Sequence, residues 1–193
     1  MNYRLFIAAE LPAAVKDALL AVQAQLRTGR PPVVWVAPEA MHLTLRFLGD
    51  TDATLVAPLE AAMHTALGGV SAPRLRLARA SAFPGLARPR VLWVGVQGDT
   101  AALQQAHNAL VRELDALGLP PADKPFAPHL TIGRVRRDAA PEELARLGER
   151  LRGLPPLEGG TWRVERITLF RSELRAGGAV HTPLASVGLK IED

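Results

Sequence analysis

No cysteine occurs in the 193 residues, which excludes a disulfide framework, a thiolate metal site and a cysteine nucleophile, and leads to the expectation of a reducing, cytoplasmic setting. Aromatic residues are scarce, at 5% with a single tyrosine. Long apolar runs are missing too. The N-terminal run "LFIAA" is far too short to span a bilayer and has no basic leader before it, so neither a membrane segment nor a secretory signal is expected. Neither "GxxxxGK" nor "GxSxG" occurs, which removes support for P-loop nucleotide hydrolysis and for serine esterase chemistry. Lysine is rare: 20 of the 23 basic residues are arginine, spread along a chain of formal charge +4. Guanidinium suits phosphate because its planar fork donates two hydrogen bonds at once. Scattered arginine equally describes a solvated surface, so the charge permits a nucleic-acid partner without requiring one.

With 48% apolar residues the chain is long enough to bury a real core as one domain or two small lobes. Alternation in "NYRLFIAAE" predicts a strand, and Val15, Leu19, Val22 and Leu26 in the following segment predict an amphipathic helix with Pro12 near its first turn. Then come a short "VVWV", a strand "MHLTLRFLG" stopped by Gly49, a helix through "LVAPLEAAMHTALGG" with Pro58 early in it, and a strand "PRLRLARAS". The second half repeats the order: strand "RVLWVGVQ", a helix from "DTAALQQ" with Asp99 as N-cap, strand "PHLTIGRV", helix "APEELARLGERLRG", and final strands "TWRVERITLF" and "VHTPLASVGLK". Leu5 to Leu92 is 87 positions, as is His42 to His129. The expectation is a single domain over 1–193 built as two related lobes, roughly 1–85 and 86–193, with termini free to cross between them.

His-Leu-Thr-aliphatic is therefore written twice, as "HLTL" from His42 and "HLTI" from His129. Residues two apart on a strand share a face, so His42, Thr44 and Arg46 are expected on one face and Leu43, Leu45 and Phe47 on the other. In the second copy His129 and Thr131 face one way, Leu130 and Ile132 the other. If an approximate two-fold axis relates the copies, two imidazoles and two hydroxyls meet at one point. One imidazole can take a proton from water while the other gives one to a leaving oxygen, and the hydroxyls can donate to the non-bridging oxygens of a group between them. A single histidine on a strand is more commonly a hydrogen-bonded structural residue. The pairing in matched contexts favours function. His64 and His107 fall in predicted helices without the accompanying threonine, and His181 in "VHTPLA" is open between a structural role and the border of the cleft. Zinc wants a third protein ligand, and neither motif offers an adjacent Asp, Glu or Cys facing the same way.

The tandem motifs, with "RLFIAAELP", "HLTLRFLGD", "PRVLWVGV", "FAPHLTIGRV" and "RVERITLFRSEL", closely resemble the 2H phosphoesterase superfamily, and within it the RNA 2′,3′-cyclic phosphodiesterases, also called 2′-5′ RNA ligases. The resemblance runs from about Tyr3 to Leu189. It implies an α+β fold of two pseudo-symmetric lobes of antiparallel sheet, helices outside, around a central cleft. It implies hydrolysis of an RNA 2′,3′-cyclic phosphate end to a 2′-phosphate by a monomeric enzyme with no metal and no cofactor. Carried over, His42 is the proton donor and His129 the proton acceptor, Thr44 and Thr131 hold the phosphate, and Arg134, five residues beyond the second histidine, binds substrate. Arg46 is expected to touch backbone phosphate or to close a salt bridge at the cleft rim. Strict alternation places Arg134 on the wrong face unless the strand bulges near Gly133. Many relatives carry Tyr where this chain has His181. Reverse 2′-5′ ligation and a non-catalytic RNA-end binding module are the rival readings.

Overall fold

The computed structural model describes residues 1–122, 125–157, 160–175 and 178–191. Nine strands, β1 (Asn2–Glu10), β2 (Val33–Trp35), β3 (His42–Asp52), β4 (Arg74–Phe83), β5 (Val91–Gly98), β6 (His129–Val135), β7 (Thr161–Arg163), β8 (Arg166–Arg175) and β9 (Gly178–Gly188), form one sheet among the described residues. Its order is β7-β4-β5-β6-β3-β1-β8-β9, with β2 added on β6. The named strand pairs are antiparallel, and the sheet curls into a half-barrel, so the fold is α+β.

Among the described residues four helices, α1 (Ala13–Arg27), α2 (Val56–Leu67), α3 (Thr100–Ala116) and α4 (Pro141–Gly153), cover the convex side. Each forms where the apolar spacing predicts. In α1 the buried positions are Val15, Leu19, Val22, Gln23 and Leu26, and in α3 Leu103, Ala106, His107, Leu110 and Leu114. The α4 start is fixed by Pro141 in the first turn and by the Glu143 carboxylate, which accepts from the Ala140 amide at 2.8 Å. One continuous aliphatic core lies between helices and sheet, with Leu5, Ile7, Leu43, Leu92, Leu130 and Ile132 all at 0–1% exposure.

Four sequence expectations change. The halves of the sheet are not the halves of the chain: β8 and β9 lie beyond β1, a crossing of the C-terminal strands that the expectation allowed, but β4 pairs with β5, so a boundary at residue 85 does not divide the sheet. "TWRVERITLF" is not one strand, because β7 pairs with β4 at one edge and β8 with β1 on the other side, and the chain crosses over at Val164 and Glu165. Asp99 occupies the N-cap position of α3, yet its carboxylate accepts from the Arg74 amide at 3.0 Å and not from the helix. Gly49 also does not end β3. Its φ of 68° accommodates an irregularity in the pairing with β1, and the strand continues to Asp52.

Candidate active site

The two motif strands are neighbours at the centre of the sheet and pair through Leu43 and Leu130. Antiparallel counting from that pair sets His42 across from Thr131 and Thr44 across from His129. Directly opposed residues on one face have Cβ atoms about 4.5–5.5 Å apart. Each imidazole therefore has one threonine two residues along its own strand and another across from it on the neighbouring strand.

Both strands carry a bulge at the same place. Opposite β1, Ile7 pairs with Arg46 and Ala8 with Thr44, which leaves Leu45 as the extra residue; opposite β5, Leu92 pairs with Gly133 and Trp93 with Thr131, leaving Ile132. The bulge reverses the alternation that strict periodicity predicts. In β6 it returns Arg134 to the face of His129 and Thr131, where it is exposed and pairs in register with Val91. In β3 it turns Arg46 away. That residue is 4% exposed, its guanidinium donates to the Pro120 carbonyl behind the sheet, and it is not a cleft residue. Phe47, expected in the core, is instead 61% exposed on the concave side with its ring 5.9 Å from Phe6. Position five beyond each histidine thus holds Phe47 in one copy and Arg134 in the other.

The register also corrects the offset for the outer strands. Ala8 pairs with Thr44 as Trp93 pairs with Thr131, and Glu10 pairs with His42 as Gly95 pairs with His129, so β1 matches β5 at 85 positions and not 87. The two sides of the site therefore differ in shape. Beside the first motif the floor is a small Ala8 and a carboxylate; beside the second it is an indole and no side chain at all.

Each imidazole is held the same way. His42 Nδ1 lies 2.8 Å from the Ala40 carbonyl and His129 Nδ1 2.6 Å from the Ala127 carbonyl, two residues upstream in both cases. A carbonyl only accepts, so Nδ1 carries the hydrogen and Nε2 is left to exchange protons. The surroundings then diverge. His42 packs against Phe6, with centroids 4.7 Å apart, and His181 stands edge-on at 5.3 Å. Burial first, and then the neighbouring His181, push the His42 pKa down to about 4, against the opposing effect of the Ala40 carbonyl. Burial lowers His181 as well, and its Nδ1 is buried without a hydrogen-bond partner among the described residues. His129 meets Phe83 edge-on at 5.1 Å and Trp93 at 6.1 Å, and those two rings stack on each other at 4.9 Å.

His181 is thus at the site, on the His42 side, while His64 is exposed on α2 and His107 is buried behind the sheet. Sequence reasoning missed Glu10, Phe6, Phe83 and Trp93 as neighbours of the motifs. The alternation of β1 holds the signal for Phe6 and Glu10, since Ile7 and Ala9 point to the core. Among the described residues no cluster of three or more His, Asp or Glu is placed to hold a metal ion.

The profile of the 2′-5′ RNA ligase superfamily matches residues 11–176. An RNA 2′,3′-cyclic phosphodiesterase of Thermus thermophilus is 36% identical over 98% of this chain and 91% of its own, and one of Methanothermobacter thermautotrophicus is 30% identical over 95% and 97%. The crystal structure of Escherichia coli LigT complexed with 3′-AMP superposes with a TM-score of 0.79 at 26% identity, covering 98% of this chain and 99% of that one. The chain belongs to the 2′-5′ RNA ligase superfamily, and is an enzyme of the RNA 2′,3′-cyclic phosphodiesterase type.

Proposed function

We propose that the protein opens RNA 2′,3′-cyclic phosphate ends to 2′-phosphomonoesters by a metal-independent reaction between two histidines, as a cytoplasmic monomer without a cofactor. The observation that carries this reading is the matched Nδ1 hydrogen bonds of His42 and His129, which leave two Nε2 atoms on one concave face. His129 takes a proton from the attacking water. His42, protonated, gives one to the departing O3′, and Thr44 and Thr131 donate to the non-bridging oxygens as charge builds on them. Arg134 neutralises the phosphate or its 5′ neighbour from the rim.

A pKa of about 4 leaves His42 neutral in the free enzyme at neutral pH, which is the wrong state for an acid. Raising it to 7 takes about 4 kcal/mol at about 1.4 kcal/mol per pH unit. A phosphate anion about 4 Å away at an effective dielectric near 20 supplies roughly that amount. The substrate therefore loads its own acid. Burial, which disfavours the charged imidazole in the empty site, strengthens the same charge pair once water is displaced.

The rival 2′-5′ ligation, joining a cyclic phosphate to a 5′-hydroxyl, uses the same groups with the alcohol in place of water; hydrolysis prevails unless a second strand is held at high effective molarity. The test is incubation of a synthetic oligoribonucleotide ending in a cyclic phosphate, with chelator present, followed by chromatography of the products. Turnover lost on replacing either histidine supports the proposal; turnover that needs an added metal, or that survives both replacements, overturns it.

A further inference from the structure

Behind the sheet, the segments that lead into the two histidines are anchored in a crossed pattern. The segment before His42 begins at Val36, whose amide donates to the Ile132 carbonyl of β6 at 3.1 Å. Gln23 of α1, 1% exposed, donates from Nε2 to both the Val36 carbonyl at 2.8 Å and the Ile132 carbonyl at 2.9 Å. Ile132 is the extra residue of the second motif's bulge. From Val36 the chain passes through a tight 3₁₀ turn, Pro38–Ala40, to the Ala40 carbonyl that holds His42 Nδ1. The bulge on the second motif thus fixes the approach to the first histidine.

The converse holds on the other side. Arg46, turned inward by the first motif's bulge, donates to the Pro120 carbonyl, nine residues before His129 in the chain. The same cation helps lower the pKa of His107, although burial contributes more. His107 lies flat on Phe126 with centroids 4.2 Å apart and planes 8° apart. Phe126 precedes Ala127, whose carbonyl holds His129 Nδ1. Arg46 Nε and Nη1 are buried with no hydrogen-bond partner among the described residues. Such a cation is a poor stabiliser, because an apolar side chain of similar volume avoids the desolvation cost. Its place is better explained by what it holds than by what it adds to stability.

We propose that the two motifs orient each other's imidazoles: each bulge anchors the segment leading into the opposite histidine, with Gln23 and Arg46 as the positioning side chains. The proposal rests on the two-histidine reading only for its effect on rate. Errors of about 1 Å in a catalytic group cost up to about a hundredfold, so Arg46→Met should lower kcat by roughly ten- to a hundredfold while KM stays within about threefold. Its thermal midpoint should not fall, and Arg46→Lys, which restores a donor to Pro120, should recover part of the rate. Imidazole nitrogen NMR supplies the readout a structural role would not move. Arg46→Met should shift the His129 ring signals and spare His42, whereas Gln23→Met should shift His42 and spare His129. Unperturbed imidazoles in Arg46→Met, or a change confined to the histidine on its own strand, overturn the proposal, and this arm decides even if Gln23→Met folds poorly. Crossed NMR shifts with an unchanged kcat would sustain the bracing and instead count against the two-histidine chemistry.

Discussion

Acidification should destabilise the free enzyme through His42 before any carboxylate is involved. The imidazole takes up a proton near 6.5 in the unfolded chain but only near 4 in the folded one, so between these values the unfolded state binds more protons and stability falls as pH falls. Full stability from this group is present above about 6.5 and is lost toward 4. The loss is about 2 kcal/mol by pH 5 and about 3 kcal/mol by pH 4. His181, shifted in the same direction by burial, adds to the trend. Urea midpoints measured from pH 7.5 to 4.5 on the wild type and on His42→Asn separate this contribution, since Asn keeps a donor for the Ala40 carbonyl and removes the titration. The variant should lose most of the pH slope between 6.5 and 4.5, and inorganic phosphate should flatten the slope in the wild type by favouring protonated His42. Equal slopes in the two proteins would refute the assigned shift and the substrate-loading argument built on it.

Other outcomes follow from the site. Replacing His42 or His129 by Ala should each lower turnover by roughly 10² to 10⁴-fold with folding intact, the usual range for general acid–base groups, as read by steady-state rates beside circular dichroism. Thr44→Val or Thr131→Val keeps the shape and removes a donor, and should cost roughly ten- to a hundredfold, mostly in kcat. Arg134→Met should raise KM for an oligonucleotide more than it lowers kcat, with a smaller effect at high salt, because an exposed cation acts through screened attraction. Activity should survive excess chelator and follow a bell-shaped pH profile whose limbs belong to the histidine pair jointly.

Much of this arrangement is legible in the residues. Helix positions follow from apolar spacing in α1 and α3, and the two His-x-Thr motifs identify the strands that meet at Leu43 and Leu130. Periodicity fails at the bulges, for a physical reason: an extra residue is set by pairing with a neighbouring strand distant in sequence. Gly133 hints at one, since a Cβ there would come within 2.7 Å of Val33 Cγ1. Nothing local marks the other, so Arg46 and Phe47 are read on exchanged faces. The crossing of β4 and β8 between the halves of the sheet is likewise a matter of long-range pairing, invisible to a repeat offset. The aromatic neighbours escape notice because a chain with so few aromatic residues carries no stripe of them; they converge only through the curl of the sheet.

The central claim is tested most directly by the position of the phosphate in the product. In-line attack puts water and the leaving oxygen on opposite sides of phosphorus, so a histidine on each motif strand assigns one side to the base and the other to the acid. Of O2′ and O3′, only the oxygen facing protonated His42 departs readily. A labelled oligoribonucleotide with a 2′,3′-cyclic phosphate end, digested by the purified protein and resolved by chromatography, should yield almost only 2′-monophosphate ends. Predominant 3′-monophosphate ends, or an uncleaved cyclic phosphate, would contradict the account.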